Sequence, residues 1–168
     1  DIKSVSQAGQ LENPDARVSF DVVAGDLLED FAECFAGVLN GDSPRFQKKF
    51  WEIFNRSDLW TFQQTTVDDY STYGGLQLVL YYDKKNGHLR EEKWIRRDRL
   101  HDSDQRGNKA WGRKGVGISQ MRILPASLYT GETFDSNIAI IYPEDQTLVL
   151  PIWCFCSSPE YNEAVRRI

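Results

Sequence analysis

Basic residues concentrate in one stretch of a chain that is acidic overall. The 168 residues carry a formal net charge of −5, whereas residues 93–114 hold eight basic and three acidic residues, a local charge of +5. Such a stretch can be an electrostatic footprint for phosphate groups. The alternative is a solvated loop with internal ion pairs, because acidic residues interrupt the basic ones. The candidate phosphate contacts nearest its glycines are Arg106, Lys109, Arg113 and Lys114.

Arg113 and Lys114 have the most favourable local context. They lie between Gly112 and Gly115, so backbone amides and side-chain charges can meet one phosphate. An ordinary exposed turn is the alternative. Arg45 follows a turn that contains Asp42, and it can either bind a phosphate or form an ion pair with that carboxylate.

Glutamine and tryptophan side chains supply the candidates for contacts with bases. Glutamine pairs bidentately with the edge of adenine, which makes Gln63, Gln64 and Gln120 candidates. A polar surface position on a strand is the alternative for each of them. Trp111 can stack on a base, although packing is the favoured role. The remaining tryptophans are expected in the core: Trp51, Trp60, Trp94 and Trp153.

Groups for catalysis or metal binding are sparse. The cysteines are Cys34, Cys154 and Cys156, and this odd number without a framework favours a reducing compartment such as the cytoplasm. We expect them to be small buried residues, because zinc needs about four ligands. An enzyme that binds a divalent metal through acidic residues ranks last among the functions considered, and its candidate ligands are Asp68, Asp69, Glu91 and Glu92.

The patterning predicts one mixed α+β domain over residues 1–168, with a polar lead-in at 1–16. Strands are expected at 17–23, 61–67, 76–82, 88–95, 116–124 and 137–142, with a hairpin turn at 85–88. Asp26 is expected to cap a short helix reaching Phe35, and residues 35–39 either continue it or form a strand. Residues 46–54 have helical spacing but also suit a strand, and 148–156 suits either. Ser157 is predicted to cap a helix that begins at the next residue and continues over 161–168, with Glu160 completing a capping box.

Several motifs together resemble a segment of large adenine-specific DNA methyltransferases of restriction-modification and phage-defence systems. The strongest are AWGRKGVGISQM at 110–121 and PIWCFCSSPEYNEAVRR at 151–167, and the likeness runs from about Gly37 onward. GVLNGDSPRF at 37–46, FWE at 50–52, QQTT at 63–66 and YGG at 73–75 also fit. Relatives often carry Thr where this chain has Asn40. In that family the segment follows the catalytic domain, in the region that recognises the DNA target.

The resemblance implies a domain that recognises a duplex DNA target and works with a catalytic methyltransferase domain. It implies a mainly antiparallel twisted sheet with flanking helices, like target-recognition domains of restriction-modification specificity subunits. The chain lacks the glycine-rich loop for S-adenosylmethionine and the Asn/Asp-Pro-Pro-Tyr/Phe loop, so we expect no cofactor here and no enzymatic activity by itself. It would be a fragment or a free-standing relative. The alternative, which the −5 charge favours, is a non-catalytic protein-interaction module. No membrane span is expected.

Overall fold

The fold is mixed α+β, with two sheets rich in antiparallel pairs and few helices. The structure is a computed structural model. It describes residues 4, 6–11, 26–54, 57–83, 88–91, 94–95, 105–121 and 123–166. Within these ranges the strands are β1 (Ala32–Ala36), β2 (Gln47–Lys49), β3 (Trp60–Gln64), β4 (Leu78–Asp83), β5 (His88–Glu91), β6 (Trp94–Ile95), β7 (Gly115–Ser119), β8 (Ala126–Tyr129), β9 (Thr133–Phe134) and β10 (Ile138–Pro143).

The first sheet has the strand order β1-β10-β7-β8, and every neighbouring pair is antiparallel. Its central strands are covered on both faces. Val116 and Ile118 of β7 pack in a buried cluster with Ile152 of helix α3 (Val149–Cys156). Ile138 and Ile140 of β10 belong to a second buried cluster. These aliphatic runs therefore form strands buried on both faces, which explains why their polarity alternates weakly.

The second sheet is organised around β4. β3 pairs along one side of β4, while β2 and then β5 pair along the other, all antiparallel. β9 adds to β3 in parallel, through Gln63 opposite Thr133 and Gln64 opposite Phe134. Leu80 and Tyr82 of β4 are fully buried and form a cluster with Val38 and Phe46. The expectation of one sheet is therefore wrong, because the chain builds two.

The helices are short. α1 (Gln7–Gln10) and α2 (Ser43–Phe46) are single turns, and α3 is followed by α4 (Pro159–Arg166). The N-terminus of α4 begins one residue later than predicted. Ser158 Oγ accepts a hydrogen bond from the Tyr161 amide at 3.3 Å, and Pro159 takes the first helical position, where a missing N–H costs nothing.

One local prediction was wrong in type, and two others differ from the structure in detail. The expected helix ending at Phe35 is a 3-10 turn, Leu28–Asp30, followed by β1, because pairing with β10 outweighs the helical spacing. Residues 46–54 contain the end of α2, then β2, then the 3-10 turn Phe50–Glu52. The single return strand expected at 88–95 is two strands, β5 and β6, that pair with each other. The strand expected at 17–23 and most of the hairpin turn at 85–88 lie outside the described residues.

A buried glutamine amide joins the two sheets. Gln64 on β3 donates through Nε2 to Ser127 Oγ on β8 at 3.1 Å and to the Gly74 carbonyl at 2.6 Å. Its neighbour Gln63 accepts from Gln47 Nε2 on β2 at 2.5 Å, a bond within the second sheet. Both Gln63 and Gln64 have no exposed surface. A hydrogen bond in a dry interior is strong and directional, so the Gln64 amide holds the sheets in one relative position.

No helix within the described ranges combines the length and the apolarity that crossing a bilayer requires.

We predict that Gln64→Leu lowers the free energy of unfolding by about 2 kcal/mol. The substitution keeps the volume but leaves Ser127 Oγ and the Gly74 carbonyl buried without their donor. Urea unfolding followed by circular dichroism measures the change. Gln7→Leu is the control, because Gln7 is exposed on α1. An equal stability of the two variants would contradict the role assigned to Gln64.

Candidate nucleic-acid interface

Residues 105–114 form an exposed turn that leads into β7, here called the basic turn. It contains four basic residues and no acidic residue. A 3-10 helix, Asn108–Ala110, forms its centre. Backbone hydrogen bonds close it: the Ala110 amide donates to Gly107 at 2.9 Å, and the Arg113 amide donates to Ala110 at 3.1 Å. The basic turn therefore has a defined backbone rather than that of an open loop.

Two apolar side chains anchor the basic turn to the core. Ala110 is fully buried with Phe134 and Ile138. Trp111 packs between that cluster and the one around β4, with its ring edge-on to Tyr82 at a centroid distance of 5.5 Å. The packing role favoured for Trp111 is therefore confirmed. Its indole Nε1 is buried and has no hydrogen-bond partner among the described residues.

Glycine is required at one end of the basic turn. Gly107 has φ +74°, a left-handed conformation that side chains disfavour. A Cβ at this position would lie 2.2 Å from Phe134 Cζ and 2.8 Å from the Ala36 carbonyl oxygen. Gly112 has nearly the same φ, +76°, but a Cβ there would meet nothing within 4 Å. The turn is therefore packed tightly at Gly107 and open at Gly112.

All four cations of the basic turn are exposed. They are Arg106, Lys109, Arg113 and Lys114. The Arg113 guanidinium lies 4.7 Å from the ring centroid of Tyr142 on β10, a cation–π distance that orients the side chain. The Lys114 carbonyl accepts a hydrogen bond from Gln146 Nε2 at 3.4 Å. The other predicted members of the basic stretch lie outside the described residues: Lys93, Arg96, Arg97 and Arg99.

Arg45 is on a different element but borders the same core cluster. It is exposed on α2, and its guanidinium carbon is 5.9 Å from the centroid of the Phe46 ring. Phe46 belongs to the buried cluster against which Trp111 packs. The structure therefore brings Arg45 and the basic turn to the edges of one packing unit, although they are distant in sequence.

The three glutamines do not join this surface. Gln63 and Gln64 are fully buried and take part in hydrogen bonds inside the protein, so the structure places neither on a surface that a base could reach. Gln120 is exposed, but it follows the C-terminal end of β7, whereas Lys114 precedes its N-terminal end. Six residues of extended chain separate them by about 20 Å.

Acidic side chains limit the positive electrostatic field of the basic turn on the side that faces β1 and the end of β10. Glu33 of β1 pairs with Tyr142 in register, so both side chains lie on the same face of the sheet. Glu144 and Asp145 follow β10. Hydrogen bonds from the Thr147 hydroxyl and amide lower the pKa of Asp145, which keeps it ionised near neutral pH. The basic turn is therefore a local positive feature with an acidic border.

The remaining predicted groups are the acidic residues considered as metal ligands and the cysteines. The described residues include no cluster of three metal-ligating side chains. Asp68 and Asp69 lie on an exposed bend, while Glu92 and the Glu91 side chain lie outside the described part. Burial raises the pKa of the Cys156 thiol to about 12, so it stays protonated at neutral pH.

Three residues that were expected to be buried are exposed. Cys34 and Cys154 are exposed rather than buried. Trp51, expected in the core, is 58% exposed beside Phe50. Residues 48–54 are a surface that the sequence reasoning missed, although Lys48 and Lys49 immediately before Phe50 and Trp51 were a signal for it.

No protein-family model matches this chain, and no curated protein matches it. The candidate interface is therefore defined by its charge and its geometry.

We predict that Gly107→Ala lowers the free energy of unfolding by about 3 kcal/mol, since the new methyl group would overlap Phe134 and the backbone of Ala36. Gly112→Ala is the matched control. It has the same sign of φ and open space, so we expect a loss of about 1 kcal/mol from the left-handed backbone alone. Thermal and urea unfolding measure both. A larger loss at Gly112 would show that the packing of the basic turn is described wrongly.

Proposed function

We propose that this chain is a DNA target-recognition domain that serves an adenine-specific DNA methyltransferase of a restriction-modification or phage-defence system. The observation that carries the proposal is the basic turn, in which four exposed cations and no acid stand on a backbone anchored by buried Ala110 and Trp111. The sequence resemblance supports the same function. The two antiparallel-rich sheets are compatible with a fold like that of specificity-subunit recognition domains.

The chemistry proposed for the basic turn is binding of the DNA backbone. Arginine and lysine contacts to phosphates position a protein on a duplex without reading its sequence. Arg113 is suited to this because stacking on Tyr142 holds its guanidinium plane in place before binding. Arg45 extends the positive surface from α2. Gln120 is the exposed member of the three glutamines and stays the candidate for contact with a base.

Methyl transfer is assigned to a separate catalytic domain, which would bind S-adenosylmethionine and receive the positioned DNA. Such a complex would act in the cytoplasm, where its DNA target is found. The alternative function is a non-catalytic protein-interaction module. The specific observation that favours it is the overall charge of −5, which opposes long-range attraction to DNA.

We predict that the double substitution Arg113→Ala and Lys114→Ala weakens binding to every duplex sequence alike. About four phosphate contacts would give a slope of log affinity against log salt of roughly −3 to −4, and the double variant should reduce its magnitude by about two. Fluorescence anisotropy with labelled duplexes at several salt concentrations measures both quantities.

The single variant Arg113→Ala is also measured, with Arg166→Ala as its control. Arg166→Ala removes one exposed charge from α4 instead of from the basic turn. The melting temperature of each variant should stay near that of the parent, since exposed side chains change stability by about 0.5 kcal/mol. Unchanged affinity and salt slope in the double variant would remove the basic turn from the interface. If the parent protein does not bind a duplex at low salt, the proposed function is wrong and the alternative, a protein-interaction module, remains.

A further inference from the structure

A group of exposed aromatic rings follows β2 and is here called the aromatic patch: Phe50, Trp51 and Phe54. Their exposed fractions are 49%, 58% and 100%. At roughly 200 Å² for each ring, the exposed area is about 400 Å². Phe50 and Trp51 are in contact and Phe54 follows three residues later, and an exposed apolar patch of this size is often functional. Leaving these rings in water is unfavourable, so a binding role accounts for them better than the fold does.

Two rings of the aromatic patch, Phe50 and Trp51, are held in place before any partner binds. β2 pairs with β4 from Gln47 to Lys49, and the Phe50 amide donates to the Gln77 carbonyl at 3.0 Å. The Phe50 ring lies 4.9 Å from Trp51 in an edge-to-face arrangement and 6.2 Å from Phe62 on β3. Rings that are ordered in advance lose little conformational entropy on binding.

Positive charge accompanies these rings. Lys49 Nζ is 5.7 Å from the centroid of Trp51 and 3.4 Å from Gln77 Oε1. Lys48 is exposed, and residues 45–54 contain three basic residues with one acid, Glu52. The Glu52 carboxylate accepts a hydrogen bond from the Lys49 amide at 2.7 Å, so it caps the turn. The surface therefore combines ring faces with a net positive charge.

This combination determines the class of partner. The core of a protein–protein interface is depleted in lysine, because burying an ammonium group without an anion is costly. A nucleic-acid strand presents bases that stack on rings and phosphates that pair with lysines. In a duplex the base faces are already stacked on each other. The strand that fits the aromatic patch is therefore an unpaired one.

We propose that the aromatic patch binds an unpaired DNA strand, with bases stacking on Trp51 and Phe54 and phosphates meeting Lys48 and Lys49. The inference rests on the proposed function only in taking the nucleic acid to be DNA. The aromatic patch is a further DNA-binding surface in addition to the basic turn. The three residues of β2, about 10 Å of extended chain, lie between α2, which carries Arg45, and the start of the patch. A region of locally opened DNA could contact both.

The experiment uses two probes, a labelled oligo-deoxythymidine of about twenty nucleotides and a duplex of the same length. Trp51→Ala and Phe54→Ala should each weaken binding of the single strand roughly tenfold, the usual scale for loss of one stacked base. Trp51→Phe and Phe54→Tyr keep a ring and should bind nearly as well as the parent. Phe31→Ala is the matched control, because Phe31 is 47% exposed and lies in no core cluster of the described residues.

Each outcome separates this inference from the proposed function. Single-strand binding that depends on the rings supports the inference even if the duplex does not bind. Duplex binding that depends on Arg113 and Lys114, together with single-strand affinity unchanged in Trp51→Ala and Phe54→Ala, overturns the inference alone. A parent protein that does not bind the single strand at low salt also overturns it. The inference is also overturned if the protein self-associates with increasing concentration and Trp51→Ala abolishes this self-association but not strand binding. The partner of the patch would then be a second copy of the chain.

Discussion

The packing of Phe134 is the interaction on which the rest of the structure depends. This ring is fully buried at the end of β9, which belongs to the second sheet, just before the chain crosses to β10 in the first. Its carbonyl accepts from the Val38 amide at 2.7 Å, and the next amide, of Asp135, donates to Gln64 at 2.9 Å. The ring also occupies the space that a side chain at Gly107 would need. The Phe134 ring, together with the backbone of Phe134 and Asp135, therefore connects both sheets and the basic turn.

The sequence predicted elements best where local pattern and tertiary contacts agree. The strands at β4, β7 and β10 were identified because aliphatic and aromatic residues run together between turn residues. The sequence-based prediction failed where pairing with a strand distant in the sequence decides the secondary structure. Phe31 and Phe35 fit a helical spacing, but Phe35 lies in β1, because that segment pairs with the edge of β10. No local signal in residues 32–36 reveals that edge, because β10 lies about one hundred residues later in the chain.

The candidate site was predicted unevenly for a related reason. Charge is a property of composition, so the cations of the basic turn could be found from the sequence, and the structure places them on the surface. Burial is a property of the whole fold, so Gln63 and Gln64 could not be separated from exposed glutamines by type alone. The Gln64 amide donates to Ser127 and to the Gly74 carbonyl, and the Gln63 amide accepts from Gln47, so both serve the interior. Trp51 shows the reverse error, because a residue type usual in cores is here exposed.

The contrast between Gly107 and Gly112 bears on how such a domain can diversify. At Gly107 the core occupies the space around the backbone, whereas at Gly112 the surroundings are open. Selection can therefore vary position 112 and the neighbouring cations at modest cost in stability, while position 107 stays under structural constraint. In a lineage whose preferred ligand changes repeatedly, substitutions would concentrate near position 112, at the open end of the basic turn. Position 107 would stay glycine through each change, because it packs against the core.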